Sequence, residues 1–321
     1  MRRLTVAAGV AVLLAGLTGF AGTAPASAEN GPGPGPGPGG SDDARVSTAA
    51  AEAARAPAVS LIARLTGDLA ARKKDGSTEG AQDGKAVVLI KVKGDRVTFA
   101  LTWNGIGRPT RGHLHQGQAG SEGGVKAELF GTAMPASVNS AAGQTSVPSA
   151  ALARRLRTDP GGFSVDLHSE EPPGGAVRGQ LRLLERPVNP LSIIRGGKLR
   201  ALADGGQEIP ADDAGKAGDP DGHSTTFLHP RPDRVDYSMA WVNIGAPLAG
   251  HIHEGVLGEN GDVRLPLFVT PVPKNIFAIS GSVSTPDAEL IARLKGSPTT
   301  FYSNVHTREF PDGAVRGQLF R

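Results

Sequence analysis

Cysteine is absent from all 321 residues, so no disulfide framework holds the chain together and its stability must come from packing. Neither sign of charge dominates, with 34 Lys and Arg against 31 Asp and Glu. Two of the basic residues, Arg2 and Arg3, lie in the first 28 positions, which leaves 32 against 31, a net +1, for the remainder. A nucleic-acid partner is therefore not implied by charge. Catalytic signatures are missing as well: there is no G-x-S-x-G, no H-E-x-x-H and no phosphate-cradling glycine loop ahead of a helix. The apolar run from Leu4 to about Phe20 is short for a membrane span. It follows Arg2-Arg3 and precedes Ala26-Ser27-Ala28, the layout of a secretory signal cleaved after Ala28. The expectation is a secreted protein, extracellular or cell-surface associated, with no membrane span once residues 1–28 are removed.

What is present is a duplication. Gly112-His113-Leu114-His115 is followed by His168 and by Gly175-Ala-Val-Arg178-Gly-Gln180-Leu181. Gly250-His251-Ile252-His253 is followed by His306 and by Gly313-Ala-Val-Arg316-Gly-Gln318-Leu319. The interval from His113 to His168 equals that from His251 to His306, 55 residues, and the copies stand 138 positions apart. Two units of about 125 residues can each bury a sufficient core. The organisation expected is a signal peptide at 1–28, a Pro/Gly-rich and then Ala-rich tether at 29–58, a first domain at 59–186, a linker at 187–196 and a second domain at 197–321. The run of alternating Gly and Pro at 31–40 cannot pack and stiffens toward polyproline II, spanning about 30 Å.

Within each unit the apolar pattern has period two. Val59 to Leu65, Lys85 to Lys93 and Arg96 to Trp103 read as strands of the first copy, with Gly94-Asp95 turning a hairpin; Leu199 to Ala203, Ser224 to Leu228 and Arg234 to Trp241 answer them in the second. One short helix interrupts each unit. Thr285-Pro286 opens the second, with Asp287 and Glu289 in its first turn, Leu290, Ile291 and Leu294 as its apolar stripe and Gly296 ending it. Pro148, Leu152 and Leu156 take the same places in the first. The closing hairpin is expected to set His168 opposite Arg178 and His306 opposite Arg316, with one polar and one apolar face, and with Gly179 and Gly317 leaving space for a tryptophan or the helix. The fold class expected is all-β: two tandem antiparallel sandwich- or barrel-like domains, each with one short helix.

His113 and His115 point to one face of a strand, as do His251 and His253. With His168 or His306 each pair makes a candidate three-nitrogen set for copper or zinc, since neutral imidazole suits both. Two other readings stand beside it. In one, the rings hydrogen-bond carbonyls of the glycine-rich loop after His115, and the arginine is held by Glu170, Glu171 or Asp312. In the other, Arg178 or Arg316, with Gln180 or Gln318 on the same hairpin, helps the histidines to bind an anion or sugar. No residue stands out as a catalytic group or as the holder of an organic cofactor. Glu259-Asn-Gly-Asp262 reads as a turn rather than a calcium loop.

These residues resemble the CHRD domain, first recognised in chordin and found widely in secreted microbial proteins. In the second copy the resemblance runs through Leu202-Ala-Asp-Gly-Gly-Gln-Glu-Ile-Pro210, Asp219-Pro-Asp-Gly222, Gly250 to Gly255, Gly258 to Val263, and Asn304-Val-His306 to Leu319. The first copy lacks the Gln-Glu-Ile-Pro element after Leu65-Thr-Gly67. The resemblance implies a β-rich extracellular module. The His-x-His turn, later histidine and glycine-arginine segment are also distantly similar to Cu/Zn superoxide dismutase, but the cysteine pair and zinc-loop ligands of that enzyme have no counterpart. The reading is a non-enzymatic, secreted protein binding an extracellular protein, glycan or small anion, or serving a structural role. The alternative is a mononuclear copper or zinc protein.

Overall fold

A computed structural model describes residues 56–70, 80–121, 123–171, 175–210 and 215–321. The signal segment and all but the last residues of the tether lie outside them. The first copy contributes β1 (Val59–Thr66), β2 (Lys85–Lys93), β3 (Arg96–Asn104), β4 (Pro109–Gln116), β5 (Val125–Phe130), β6 (Val138–Ser146), β7 (Phe163–Ser169), β8 (Val177–Gln180) and β9 (Arg182–Leu183). The second contributes β10 (Leu199–Asp204), β11 (His223–Pro230), β12 (Arg234–Val242), β13 (Pro247–Glu254), β14 (Val263–Phe268), β15 (Ile276–Ser284), β16 (Phe301–Thr307) and β17 (Val315–Phe320). The fold is all-β, as the period-two patterning implies, and every ladder is antiparallel.

In the first copy the strands pair in the order β5-β4-β7-β8-β1-β2-β3-β6, with β9 continuing β8 along β1. The second copy repeats it as β14-β13-β16-β17-β10-β11-β12-β15. Each series curls around an apolar core without closing. On β2 the residues Ala86, Val88, Ile90 and Val92 are all buried and alternate with more exposed positions. Beside them on β3 lie Phe99, opposite Ile90, and Leu101, opposite Val88, each side chain worth about 2 kcal/mol on burial.

The copies are joined. β6 pairs with β15 across Ala142↔Ala278 and Ser140↔Ser280, making one continuous sheet. The segment expected as a linker packs down on this seam. Its Ile193 is buried with Ala100, Ala142 and Ala278. Ser280 Oγ donates to Ile193 O at 2.7 Å and Ser238 Oγ to Arg195 O at 2.8 Å.

Both short helices form, Ala150–Thr158 and Ala288–Gly296. The cap of the second is Asp287 rather than Thr285, its carboxylate accepting from Leu290 N at 2.8 Å, and Gly296 lies inside the last turn. Ser149 caps the first in the same way. The closing hairpins are shifted by two residues from the expected register: Asp166, not His168, opposes Arg178, and Asn304, not His306, opposes Arg316. A two-residue shift keeps every side chain on its face, so the alternation could not reveal it. Gly179 and Gly317 make room for neither tryptophan nor helix. A Cβ at Gly179 would lie 2.1 Å from Arg64 O on β1, and one at Gly317 2.5 Å from Leu202 O on β10, so the glycines permit close strand approach.

Candidate metal site

The site of the second copy is built on β13, β16 and β17, three neighbouring strands. The glycine that opens its Gly-His-x-His segment is required sterically, because a Cβ at Gly250 would lie 2.5 Å from the Phe268 ring. Gly112 meets Phe130 at the same distance. His251 and His253 project from β13 on one face, and His306 reaches them from β16, its ring centroid 5.0 Å from that of His251. Ring nitrogens of the three lie within 4.8 Å of one another. Three such atoms share a point no more than about 2.8 Å from each, against the 2.0–2.1 Å of a zinc–imidazole bond.

Two of these rings are oriented from behind. His253 Nδ1 lies 2.9 Å from Gly261 O and His306 Nδ1 lies 2.9 Å from Pro311 O. A nitrogen facing a carbonyl must carry the proton, so in the neutral ring Nε2 holds the lone pair. His253 Nε2, His306 Nε2 and His251 Nδ1 are all buried without a protein partner. Burial, reinforced by the neighbouring His306 and His253, lowers the His251 pKa to about 4, and burial lowers that of His253 too. Near pH 7 these two rings are neutral, the form that coordinates metal.

The arginine is not where an anion reading needs it. Arg316 is 1 % exposed and donates to Asn260 Oδ1 at 2.8 Å and to Glu259 O at 2.6 Å, with its guanidinium 3.6 Å from the Tyr302 ring centroid. It clamps the loop between β13 and β14, whose Gly261 carbonyl orients His253. The expected acidic partners Glu170, Glu171 and Asp312 do not hold either arginine. Arg178 instead bonds Ser164 Oγ through Nε and Nη2 at 3.1 and 2.9 Å, and Glu170 pairs with Arg108. Gln318 Nε2 ties Gly255 O, Thr299 O and Phe301 O together, and Gln180 braces Gly161 O and Phe163 O. The glutamines act as braces here. Tyr302 stacks on His253 at 4.8 Å and 12°. The helix contributes Arg293, whose Nε donates to Glu254 Oε1 at 3.0 Å beside His253.

The first copy has the same frame and a different interior. His113, His115 and His168 gather around Asp166, whose Oδ2 lies 2.9 Å from His115 Nε2 and 3.5 Å from His168 Nε2, and whose Oδ1 lies 3.4 Å from His113 Nδ1. Burial alone would raise the Asp166 pKa, but bonds from His113, His115 and His168 outweigh it and hold the carboxyl far below the usual range. Burial lowers the Arg178 pKa, against the opposing pull of the Asp166 charge. His113, Asp166 and His168 offer ligand atoms within 4.8 Å of one another, a two-nitrogen, one-oxygen set. Sequence reasoning passed over Asp166, although its parity matches His168 two residues on. It included Glu208 in the Gln-Glu-Ile-Pro element without giving it a role, since it lies past the end of β10, where alternation carries no information.

Among protein families, the CHRD domain matches twice, over residues 61–181 and 199–319. No curated protein matches the chain. Among the described residues, no helix is long and apolar enough to cross a membrane.

Proposed function

Because the chain belongs to the CHRD family, as two tandem CHRD domains, we propose that it works as a metal-binding protein, with its second domain holding one zinc or copper ion on His251, His253 and His306. The observation that carries this reading is three histidines with ring nitrogens within 4.8 Å of one another, each ring keeping one buried nitrogen without a protein partner. A buried polar atom left unpaired costs about 1–3 kcal/mol, a cost that a cation bound at these nitrogens would remove. An all-imidazole set fits zinc or copper and suits calcium and magnesium poorly, since those ions take oxygen ligands. A bound metal would supply Lewis acidity or, for copper, electron transfer. What the chain's own residues do is orient the rings through Gly261 O and Pro311 O and keep two of them neutral.

The role proposed is binding rather than catalysis, in a protein exported by the leader at residues 1–28 and held on the tether that follows. A protein, glycan or small anion as the partner is the second reading, and the engagement of Arg316 by its own loop weighs against the anion. The test is metal content. The full chain is stripped with chelator, reloaded with Zn²⁺ or Cu²⁺, freed of excess and analysed for bound metal. Retention of stoichiometric metal that falls by one equivalent in His251→Ala/His253→Ala supports the reading. Equal metal content in the two proteins overturns it.

A further inference from the structure

Aligned at the offset of 138 residues, the two copies carry a carboxylate at different places, Asp166 buried and Glu208 half-buried. Where the first has Asp166 on β7, the second has Asn304 on β16; where the first has Ala70, the second has Glu208. These positions correspond in three dimensions. Asp166 lies opposite His113 and Arg178, as Asn304 lies opposite His251 and Arg316. Ala70 and Glu208 each close a 3-10 turn, with Ala70 N bonded to Gly67 O at 3.1 Å and Glu208 N to Gly205 O at 3.2 Å. Each copy thus has one carboxylate and one neutral side chain across the same two positions.

Glu208 reaches toward the place its copy leaves uncharged. Its Oε2 accepts from Asn304 Nδ2 at 3.3 Å, while its Oε1 is buried without a partner. The carboxylate sits over Gly313, where a Cβ would be 2.5 Å from Oε1; at the corresponding Gly175 a Cβ would meet nothing within 4 Å. Glycine stands at this position in both copies, and in the second the glutamate occupies the space over it. The histidines supply no charge to offset a cation, and Arg316 is already buried beside them. A dication entering this site without a nearby anion would be opposed by that guanidinium.

We propose that Glu208 replaces Asp166 in the second copy as the anion that balances a divalent cation held by His251, His253 and His306, acting from the outer sphere through Asn304. This rests on the reading of that cluster as a metal site. The carboxylate of the first copy touches the histidines directly, whereas that of the second stands one side chain back, leaving all three ring nitrogens open.

The experiment uses the full chain in a His113→Ala/Asp166→Asn background, which silences the first copy, and measures Zn²⁺ affinity against a chromophoric chelator. Glu208→Gln is expected to weaken binding by about 10–100-fold. Adding Asn304→Asp to Glu208→Gln is expected to restore most of the loss, because it returns a carboxylate to the place Asp166 holds, an outcome that a purely structural role for Glu208 would not produce. Unchanged affinity in Glu208→Gln, or loss without rescue by Asn304→Asp, overturns the proposal. If circular dichroism shows Glu208→Gln to be misfolded, Asn304→Asp alone decides: tighter Zn²⁺ binding supports the charge role and unchanged binding overturns it. A parent protein that takes up no Zn²⁺ overturns the metal reading itself, and this inference with it.

Discussion

His115 Nε2 lies 2.9 Å from Asp166 Oδ2, while its counterpart His253 keeps Nε2 buried and unpartnered. The first copy sets a carboxylate among its histidine nitrogens, where the second has none, although His113 Nδ1, His115 Nε2 and Asp166 Oδ1 make no well-formed hydrogen bond. Removing Asp166 would take the carboxylate from among three imidazoles and its charge from near Arg178, which keeps Ser164. Asp166→Ala is expected to lower the unfolding free energy by about 3–5 kcal/mol, read from denaturant titration of the metal-free protein at pH 7. A loss below 1 kcal/mol would show that the cluster does not depend on its carboxylate.

The second copy has two groups whose pH effects oppose each other. His251 titrates near 4 in the folded metal-free protein against 6.5 ordinarily, so the unfolded chain binds the proton more readily. Its contribution is intact above pH 6.5 and is lost as pH falls toward 4, with a limiting slope of about 1.4 kcal/mol per unit. Burial raises the Glu208 pKa from 4.5 to about 7, against the pull of Arg316 and Asn304. Its contribution is present below 4.5 and is lost as pH rises through 7. Between pH 5 and 6.5, Glu208→Gln is expected to steepen the rise of stability with pH, and His251→Gln to flatten it. Urea unfolding at half-unit steps measures both slopes.

Arg316 spends its donors on Asn260 Oδ1 and the carbonyls of Val256 and Glu259 while lying against Tyr302. Arg316→Ala is expected to cost about 2–4 kcal/mol, since it leaves these acceptors unmatched and a hole under the ring. Arg316→Lys should recover little, because an ammonium cannot supply the planar fork. Thermal melts rank the three proteins, and limited proteolysis should cut the variants within residues 256–261. A melt of Arg316→Ala indistinguishable from the parent would remove the clamp from the account.

Ala142 and Ala278 face each other across the seam, both fully buried. Ala142→Asp would place a carboxylate there with no room for water. Calorimetry should then show two separated transitions where the parent shows one. A single transition in the variant would mean that the copies do not depend on the seam for joint unfolding.

Much of the fold was legible because it is local. Ala86, Val88, Ile90 and Val92 share a parity, and parity alone puts them inside. The helices followed from their apolar stripes, although the cap moved from Thr285 to Asp287, because Thr285 and Asp287 both had the chemistry for it and the choice depended on where the chain enters the helix. The grouping of His251, His253 and His306 was visible in the repeated interval, yet the chemistry of the cluster was not. It depends on which backbone carbonyls lie behind the rings and which polar atoms lie between them.

The sequence by itself determined that one unit occurs twice, that it is built of strands, and that each His-x-His pair faces one way, because a period of two and a repeat of 138 are properties of the chain's order. Only the tertiary structure decided the rest. It put Asp166 among the histidines of one copy and Glu208 beside Asn304 in the other, turned Arg316 inward onto its loop, and joined β6 to β15. A hairpin shifted by two residues keeps every face and changes every neighbour, and the site consists of neighbours.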